Sequence, residues 1–202
     1  MEYRTLGRTG VRVSSLCCGT MSFGAEADAQ EAGRIYAACR ERGVNFFDTA
    51  NSYNGGESER ILGCLIREER DAIVLSSKIF NKMGKDLNAQ GGNRRNIALA
   101  VDASLKRLGT DRIDVLFMHR WDSVTPLEET LRGLEDVVRA GKVLYLGASN
   151  YSAWQVAKGL GISAREGWSR FDIIQPMYNL VKRQVEAELL PFAQHENVGV
   201  VS

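Results

Sequence analysis

The sequence predicts an α/β fold in which parallel strands alternate with helices, with a (β/α)8 (TIM) barrel as the preferred arrangement. Three observations predict it. Short apolar runs alternate with longer helical patterns along all 202 residues. The starts of most apolar runs recur at roughly 30-residue intervals, the length of one β–α–β step. The first run leads into Cys18-Gly19-Thr20 and not into the G-x-G-x-x-G turn that would favour an open dinucleotide-binding sheet.

The predicted β structure begins with an N-terminal hairpin, in which Gly7-Arg8-Thr9-Gly10 forms the turn between residues 3–6 and 11–13. Seven strands follow. Most are short β-branched or aliphatic runs, as expected for parallel strands that are covered on both faces. They are predicted at residues 15–20, 45–48, 73–78, 113–119, 143–149, 172–175 and 198–202.

The helices between these strands carry start and stop signals. Thr125-Pro126-Leu127-Glu128 and Ser152-Ala153-Trp154-Gln155 are predicted capping boxes. Glycines are predicted to end four helices, because glycine adopts the left-handed conformation of a helix C-terminus. The predicted helices cover residues 29–42, 58–69, 97–108, 125–140, 152–161 and 186–195, and the four glycines are Gly43, Gly109, Gly141 and Gly161.

The composition is that of an ordinary globular domain, with 44% hydrophobic and 25% charged residues. A net charge of +1 gives no general attraction to nucleic acid or to an anionic membrane. No apolar run approaches the ~20 residues that cross a bilayer, and the N-terminus lacks the apolar segment of a secretory signal. We therefore expect a single domain over residues 1–202, located in the cytoplasm, with no nucleic-acid or membrane partner. The oligomeric state is left open.

The sequence predicts no metal site. It has four cysteines, none in C-x-x-C spacing, and only two histidines. Zinc sites normally use such closely spaced ligand pairs. We interpret Cys17, Cys18, Cys39 and Cys64 as reduced and mostly buried thiols.

Ionisable and polar side chains terminate several of the predicted strands. In a (β/α)8 barrel the carboxyl ends of the strands form the active-site face, so these side chains are expected to meet there. They are Asp48, Lys78, His119, Ser149 with Asn150, and Gln175, and Tyr53 follows Asp48 in the next loop.

This set of residues suits the reduction of a carbonyl group, which needs a hydride at carbon and a proton at oxygen. Tyr53 can supply the proton, and the ammonium of Lys78 beside it favours proton release. Asp48 would pair with Lys78, since an unpaired buried ammonium tends to lose its proton. His119 can donate a hydrogen bond to the substrate oxygen. No metal is required.

With these residues, the sequence resembles the aldo-keto reductase family, and in particular its bacterial and channel-β-subunit-like branch. The resemblance implies an NAD(P)H-dependent oxidoreductase that reduces aldehydes or ketones to alcohols, with Tyr53 as the general acid. The matching stretches follow the family's order along the chain: Gly7-Arg8-Thr9-Gly10, Gly19-Thr20-Met21, Phe47-Asp48-Thr49-Ala50-Asn51-Ser52-Tyr53, Ser77-Lys78, Met118-His119-Arg120-Trp121-Asp122, Gly141-Lys142-Val143, Gly147-Ala148-Ser149-Asn150 and Gln175-Pro176-Met177-Tyr178-Asn179.

The resemblance also implies roles for individual residues. The catalytic tetrad would be Asp48, Tyr53, Lys78 and His119. The cofactor would be NADPH, with NADH as the alternative, extended over the barrel mouth. Its contacts would be Thr20, Met21, Asp48, Ser149, Asn150 and Gln175, of which Ser149 and Asn150 would bind the nicotinamide carboxamide. Phe23, Tyr53 and Trp121 are expected to line an apolar pocket for a small-molecule carbonyl substrate, although Trp121 equally fits a packing role on the barrel rim.

The chain departs from the family at its C-terminus, where members continue into an eighth strand and a segment that grips the cofactor phosphate. We therefore expect a barrel that is incomplete at the C-terminus, with about seven strands. A fragment of a longer reductase and a complete short protein both fit this expectation. Two alternatives to catalysis stay open, namely a non-catalytic partial barrel and a nucleotide-sensing regulatory subunit resembling channel β-subunits.

Overall fold

Two sheets make up the β structure in the computed structural model, which covers residues 1–202. The small sheet is an antiparallel hairpin of β1 (Tyr3–Thr5) and β2 (Arg12–Ser14). The large sheet has seven parallel strands, and strands adjacent in sequence are adjacent in the sheet. In order these are β3 (Cys18–Gly19), β4 (Phe46–Asp48), β5 (Val74–Ile79), β6 (Ile113–Met118), β7 (Val143–Ser149), β8 (Phe171–Gln175) and β9 (Gly199–Val200).

Six helices connect these strands, with short 3-10 turns at Tyr53–Gly56, Arg67–Ala72 and Gln184–Glu186. None of the helices has the length and apolar character needed to span a bilayer. The helices are α1 (Ala29–Glu41), α2 (Glu57–Ile66), α3 (Arg94–Leu108), α4 (Leu127–Arg139), α5 (Ala153–Glu166) and α6 (Leu189–His195).

The predicted fold class is confirmed. Each strand pairs in parallel with the next one along the chain, as in a (β/α)8 barrel. The two end strands, β3 and β9, pair with one neighbour each, so the sheet is an open barrel of seven strands. The hairpin that the sequence predicts at the N-terminus is also confirmed.

Two apolar cores lie on the two faces of the large sheet. The outer core of 30 buried residues packs the sheet against its helices. The inner core contains Phe46, Phe117 and Ile173 from the strands, covered by Leu6 and Val13 of the hairpin. The hairpin therefore closes the amino-terminal end of the barrel interior.

Side chains alternate between the two faces along each strand, and this alternation places polar residues on the inner face at the carboxyl ends of the strands. Successive side chains point to opposite faces of a sheet, so residues two apart share a face. Phe46 of β4 is thus followed on the inner face by Asp48. By the same spacing Lys78, His119, Ser149 and Gln175 belong to the inner face at the carboxyl ends of β5, β6, β7 and β8.

Two of the predicted helix start and stop signals, Gly161 and the Thr125 capping box, are wrong. Helix α5 continues past Gly161 to Glu166, and Gly167, at φ 67°, is the left-handed residue that ends it. A glycine in mid-helix only weakens a helix that tertiary packing supports. Helix α4 begins at Leu127, with Pro126 as its N-cap and no side-chain cap. In the loop before it, the Asp122 carboxylate accepts from the backbone N–H groups of Val124 and Thr125.

Candidate active site

A buried ion pair joins the ends of β4 and β5. Lys78 is only 2% exposed and Asp48 only 6%. The Lys78 ammonium donates to the Asp48 carboxylate and, at 2.8 Å, to the carbonyl of Thr49. Ser76 donates to the other carboxylate oxygen at 2.6 Å. Because both charges are hydrogen-bonded as well as paired, the cost of burying them is largely offset.

Tyr53 lies against this pair. The Lys78 nitrogen is 4.9 Å from the centre of the Tyr53 ring. The ring also meets the His119 ring edge-on, with 5.9 Å between the ring centres. Tyr53 opens a 3-10 turn, in which Asn54 takes a positive φ of 50°. Asn54 anchors the turn by donating to the backbone carbonyls of residues 21 and 23 at 2.9 and 2.8 Å.

His119 completes the cluster from the end of β6. Its backbone N–H donates to the carbonyl of Ile79 at 3.0 Å, which extends the β5–β6 ladder by one bond. Burial, helped by the positive charges of Lys78 and Arg120, lowers the pKa of His119 from 6.5 to about 4. The imidazole is therefore neutral at physiological pH. The four residues of the predicted tetrad come together within one cluster.

Three of the predicted cofactor residues also meet. The Ser149 hydroxyl donates to the Gln175 carbonyl at 3.0 Å. The Asn150 amide donates to the Ser149 hydroxyl at 3.0 Å and to the His119 carbonyl at 2.9 Å. Asn150 has a positive φ of 58°, a conformation that asparagine tolerates better than most residues. This group therefore adjoins His119 on the next two strands.

Of the remaining predicted cofactor residues, Asp48 belongs to the tetrad, and Thr20 and Met21 are placed differently from each other. Thr20 is completely buried, and its hydroxyl bonds to the Asp48 carbonyl at 3.0 Å and to Ser58 at 2.8 Å. Its side chain therefore serves the internal network at the ends of β3 and β4. Met21 is exposed beside it.

The three predicted substrate residues, Phe23, Tyr53 and Trp121, do not line one common pocket. Trp121 lines an open cleft of about 400 Å³ together with Phe80, whereas none of the four tetrad residues, Tyr53 included, lines it. Trp121 meets Tyr151 and Trp154 edge-on, at 5.3 and 5.6 Å between ring centres, so it packs on the rim and faces the cleft as well. Phe23 is only 1% exposed and packs within a small separate cluster. Its side chain presents no surface to a substrate in this arrangement.

Sequence reasoning missed a serine that ties the Tyr53 turn to the sheet. Ser58, in the first turn of α2, donates to the Thr20 carbonyl at 2.7 Å. Its hydroxyl also lies 2.9 Å from that of Thr49, whose carbonyl accepts from Lys78. The sequence signal is weak, because a serine near a helix start usually serves only as a cap.

The neighbouring Glu59 is a second missed residue. It is fully buried, and accepts from Ser77 on β5 and from Arg107 on α3, each at 2.6 Å. An ionised carboxylate is almost never fully buried without partners, and here both of its oxygens are used. Ser77 immediately precedes Lys78, so this network supports the outer side of the strand that carries the ammonium.

Comparison with known proteins gives the following relationships. The profile of the "Aldo/keto reductase family" matches residues 15–202. An Arabidopsis thaliana protein described as "Probable voltage-gated potassium channel subunit beta" is 41% identical over 100% of this chain and 63% of its own length. A "Norsolorinic acid reductase" of Aspergillus flavus is 40% identical over 95% of this chain and 53% of its own. An "Uncharacterized oxidoreductase YrpG" of Bacillus subtilis is 38% identical over 100% and 65%.

The chain thus spans between about half and two thirds of the length of these curated relatives. The family match begins before β3 and continues to the last residue, so it includes the whole parallel sheet and all the predicted site residues. The resemblance predicted from the sequence motifs is confirmed, and the chain belongs to the aldo/keto reductase family.

Proposed function

We propose that this chain is an oxidoreductase that reduces aldehydes or ketones to alcohols with a nicotinamide cofactor, NADPH being the form that the family resemblance favours. The observation that carries the proposal is the buried Asp48–Lys78 pair beneath Tyr53, with a neutral His119 at the edge of the tyrosine ring. The reductase and oxidoreductase names of two relatives support the same reaction class.

Tyr53 is the proton donor in this proposal. As the carbonyl carbon is reduced, its oxygen gains negative charge and takes the phenolic proton. The fixed ammonium of Lys78 stabilises the negative charge that then remains on Tyr53. Asp48 keeps Lys78 charged and in place, since it accepts directly from the ammonium.

His119 orients the carbonyl group. A neutral imidazole carries one N–H, which donates to the substrate oxygen and stabilises the charge that develops there. The depressed pKa means that His119 does not itself compete with Tyr53 as an acid at neutral pH. The two rings therefore take separate roles at the same oxygen atom.

The residues near His119 fit the nicotinamide end of such a cofactor. A carboxamide offers one carbonyl acceptor and two N–H donors. Asn150 uses its amide N–H groups within the chain, which leaves its Oδ1 as an acceptor, and the Gln175 side chain offers both a donor and an acceptor. Ser149 holds Asn150 in position. When bound, the reduced nicotinamide supplies the hydride that the carbonyl carbon receives.

Trp121 is the second residue after His119, so we propose that the body of the substrate extends from the tetrad toward the cleft that Trp121 lines. Its lining combines Phe80, Leu87, Trp121 and Val124 with several polar groups. Most of the other lining residues are polar, but the Phe80 and Trp121 rings offer apolar surface to an aromatic body. We therefore expect aromatic aldehydes to be better substrates than short aliphatic ones.

Removing the Tyr53 hydroxyl tests the proposed reaction. With NADPH and an aromatic aldehyde such as nitrobenzaldehyde, Tyr53→Phe is expected to lower kcat by about 10³-fold, within the range for loss of a general acid. Oxidation of NADPH is followed by its absorbance. Tyr145→Phe is the matched control, because it removes a hydroxyl that contacts Thr9 of the hairpin turn, away from the cluster. An unchanged rate in a folded Tyr53→Phe protein contradicts the acid role.

Binding of NADPH to the 202-residue chain separates a catalytic chain from a non-catalytic partial barrel. Titration should quench the fluorescence of Trp121, and a submicromolar Kd would contradict the non-catalytic alternative. A chain that neither binds NADPH nor turns over, while a related reductase does both in the same assay, contradicts the proposed function.

A second candidate function is supported by the 41% identity to the plant protein described as a channel subunit beta. A nucleotide-sensing regulatory subunit would bind the cofactor tightly, turn over slowly and associate with a membrane protein. Fast turnover together with no membrane-protein partner in a pull-down would exclude this alternative.

A further inference from the structure

Asn81 bridges the Tyr53 turn and His119. It is half-buried in the loop that follows β5. Its Nδ2 donates to the Ser52 hydroxyl at 3.0 Å and lies 3.4 Å from Nδ1 of His119. Ser52 immediately precedes Tyr53, so one amide group contacts both sides of the candidate active site. The motifs found in the sequence give this asparagine no role.

In a neutral imidazole, this contact determines which ring nitrogen carries the proton. Such a ring has one N–H and one bare nitrogen, and the neighbour of one nitrogen determines which of them is protonated. The His119 ring is neutral, because burial and nearby cations oppose its charging. An amide N–H directed at Nδ1 requires Nδ1 to be the bare nitrogen, so the ring proton lies on Nε2.

We infer that Asn81 is a positioning residue that fixes His119 as the Nε2–H tautomer and thereby makes Nε2–H the donor to the substrate carbonyl oxygen. The second half of this inference rests on the proposed function, whereas the tautomer itself does not. In other enzymes a hydrogen bond to one imidazole nitrogen likewise sets the role of the other.

The opposite assignment is physically distinct. If the Asn81 carboxamide were rotated by half a turn, its Oδ1 would accept from Nδ1–H and Nε2 would be bare. A bare Nε2 cannot donate to a carbonyl oxygen, so His119 would lose the orienting role described above. The position of a single proton therefore separates the two arrangements.

Nitrogen NMR of the ¹⁵N-labelled chain reads this proton directly. The sequence has only two histidines, and the exposed His195 serves as an internal reference. At about pH 8, above the ordinary histidine range, His119 should show a bare Nδ1 and a protonated Nε2. Protonated Nδ1 in the wild-type chain would overturn the inference.

Asn81→Asp is the sharpest variant, because it keeps the side-chain shape but replaces the donor with an acceptor. The His119 proton should move to Nδ1, while Asn81→Gln, which keeps an amide, should retain the Nε2–H tautomer. Asn197→Asp is the matched control, since it makes the same chemical change at an exposed residue before β9. An unchanged tautomer in a folded Asn81→Asp protein contradicts the inference.

Enzyme activity tests the second half of the inference, the role of His119 Nε2–H as donor to the substrate carbonyl oxygen. With an aromatic aldehyde, Asn81→Asp should lower kcat by about 10²-fold, the usual effect of losing one donor to a developing oxyanion. The cofactor KM should change little, and Asn197→Asp should match the wild type. Turnover that is unchanged by Asn81→Asp despite a switched tautomer would refute the donor role. Absence of turnover in every protein, with the tautomer switch observed, would contradict the proposed function and leave the tautomer assignment supported.

Discussion

The imidazole of His119 is kept neutral by its surroundings, and this couples the stability of the fold to pH. Its pKa is about 4 in the folded chain, against 6.5 without these surroundings. Between these values the unfolded chain binds more protons than the folded one, so a falling pH favours unfolding. The stabilisation from the neutral ring is complete above about pH 6.5 and is lost as the pH falls to about 4.

We therefore expect the free energy of unfolding to fall more steeply with acid in the wild type than in His119→Gln, which has no titrating ring. Between about pH 7 and pH 4.5 the difference should be about 2 kcal/mol, a value reduced for solvent screening of the partly exposed ring. Urea denaturation at each pH measures it. Equal losses in the two proteins would show that the ring is not held neutral.

Single residues of the candidate site differ in how readily the sequence revealed them. Asp48, Lys78 and His119 end strands, and the two-residue period of a strand is enough to predict that they share a face. Asn81 lies in an irregular loop, and its partner His119 is 38 residues away. No local pattern encodes such a contact, so only the folded chain reveals it.

At the scale of single elements, the first turn of α2 is fixed by one buried carboxylate. Glu59 accepts from a strand on one side and from Arg107 of another helix on the other. Helix α2 follows directly after the Tyr53 turn, so only a few backbone residues separate its first turn from the candidate proton donor.

We expect Glu59→Gln to lower the free energy of unfolding by about 3 kcal/mol, because it leaves the Arg107 guanidinium without its counter-charge. Urea denaturation provides the measurement. The matched control is Glu57→Gln on the same helix, where the exposed pair with Arg60 should contribute less than about 1 kcal/mol. Equal effects of the two substitutions would argue against a structural role for the buried network.

Two glycines, one in β7 and one in α5, have different structural roles because their tertiary contacts differ. Gly147 on β7 lies against the Phe117 ring, and a Cβ at this position would come within 2.4 Å of the ring atoms. Gly161 in α5 has nothing within 4 Å of such a Cβ. The prediction that Gly161 ends its helix is wrong, because the following turn stays helical to Glu166 and is packed through the buried Ile162 and Ser163.

Alanine at these two positions should therefore have opposite effects. Gly147→Ala is expected to lower the free energy of unfolding by about 2 kcal/mol through overpacking. Gly161→Ala should raise it by about 0.5–1 kcal/mol, because alanine favours the helix. Thermal and urea denaturation of both variants give the comparison, and a stabilised Gly147→Ala protein would contradict the described packing of Phe117.

For the whole molecule, the order of the strands could be predicted because each βαβ step is local in sequence. The parallel sheet follows from alternation and from the preference for short, right-handed crossovers. The lengths of the end strands could not be predicted in this way. The first strand is expected over residues 15–20, but β3 is only Cys18–Gly19, because it pairs on one side alone with β4, which is itself only three residues long.

This arrangement predicts a gradient of protection across the sheet. Amides of β6 and β7, in the middle of the sheet, should exchange with solvent only through global unfolding. Amides of β3 and β9 should exchange much faster, because each strand has one partner and only two paired residues. Hydrogen-exchange mass spectrometry resolves the strands, and uniform protection across all seven would refute the gradient.

Strand β5 has a consequence for how such a protein is engineered. Ser76 and Lys78 both donate to Asp48 on the inner face of the sheet. Ser77, between them, faces outward and donates to Glu59. A mutational library restricted to cavity-lining positions would therefore omit the middle residue of this triplet. Yet a change there would remove the bond to Glu59 at the residue next to Lys78. Efforts to retune turnover should sample both sides of the strand together.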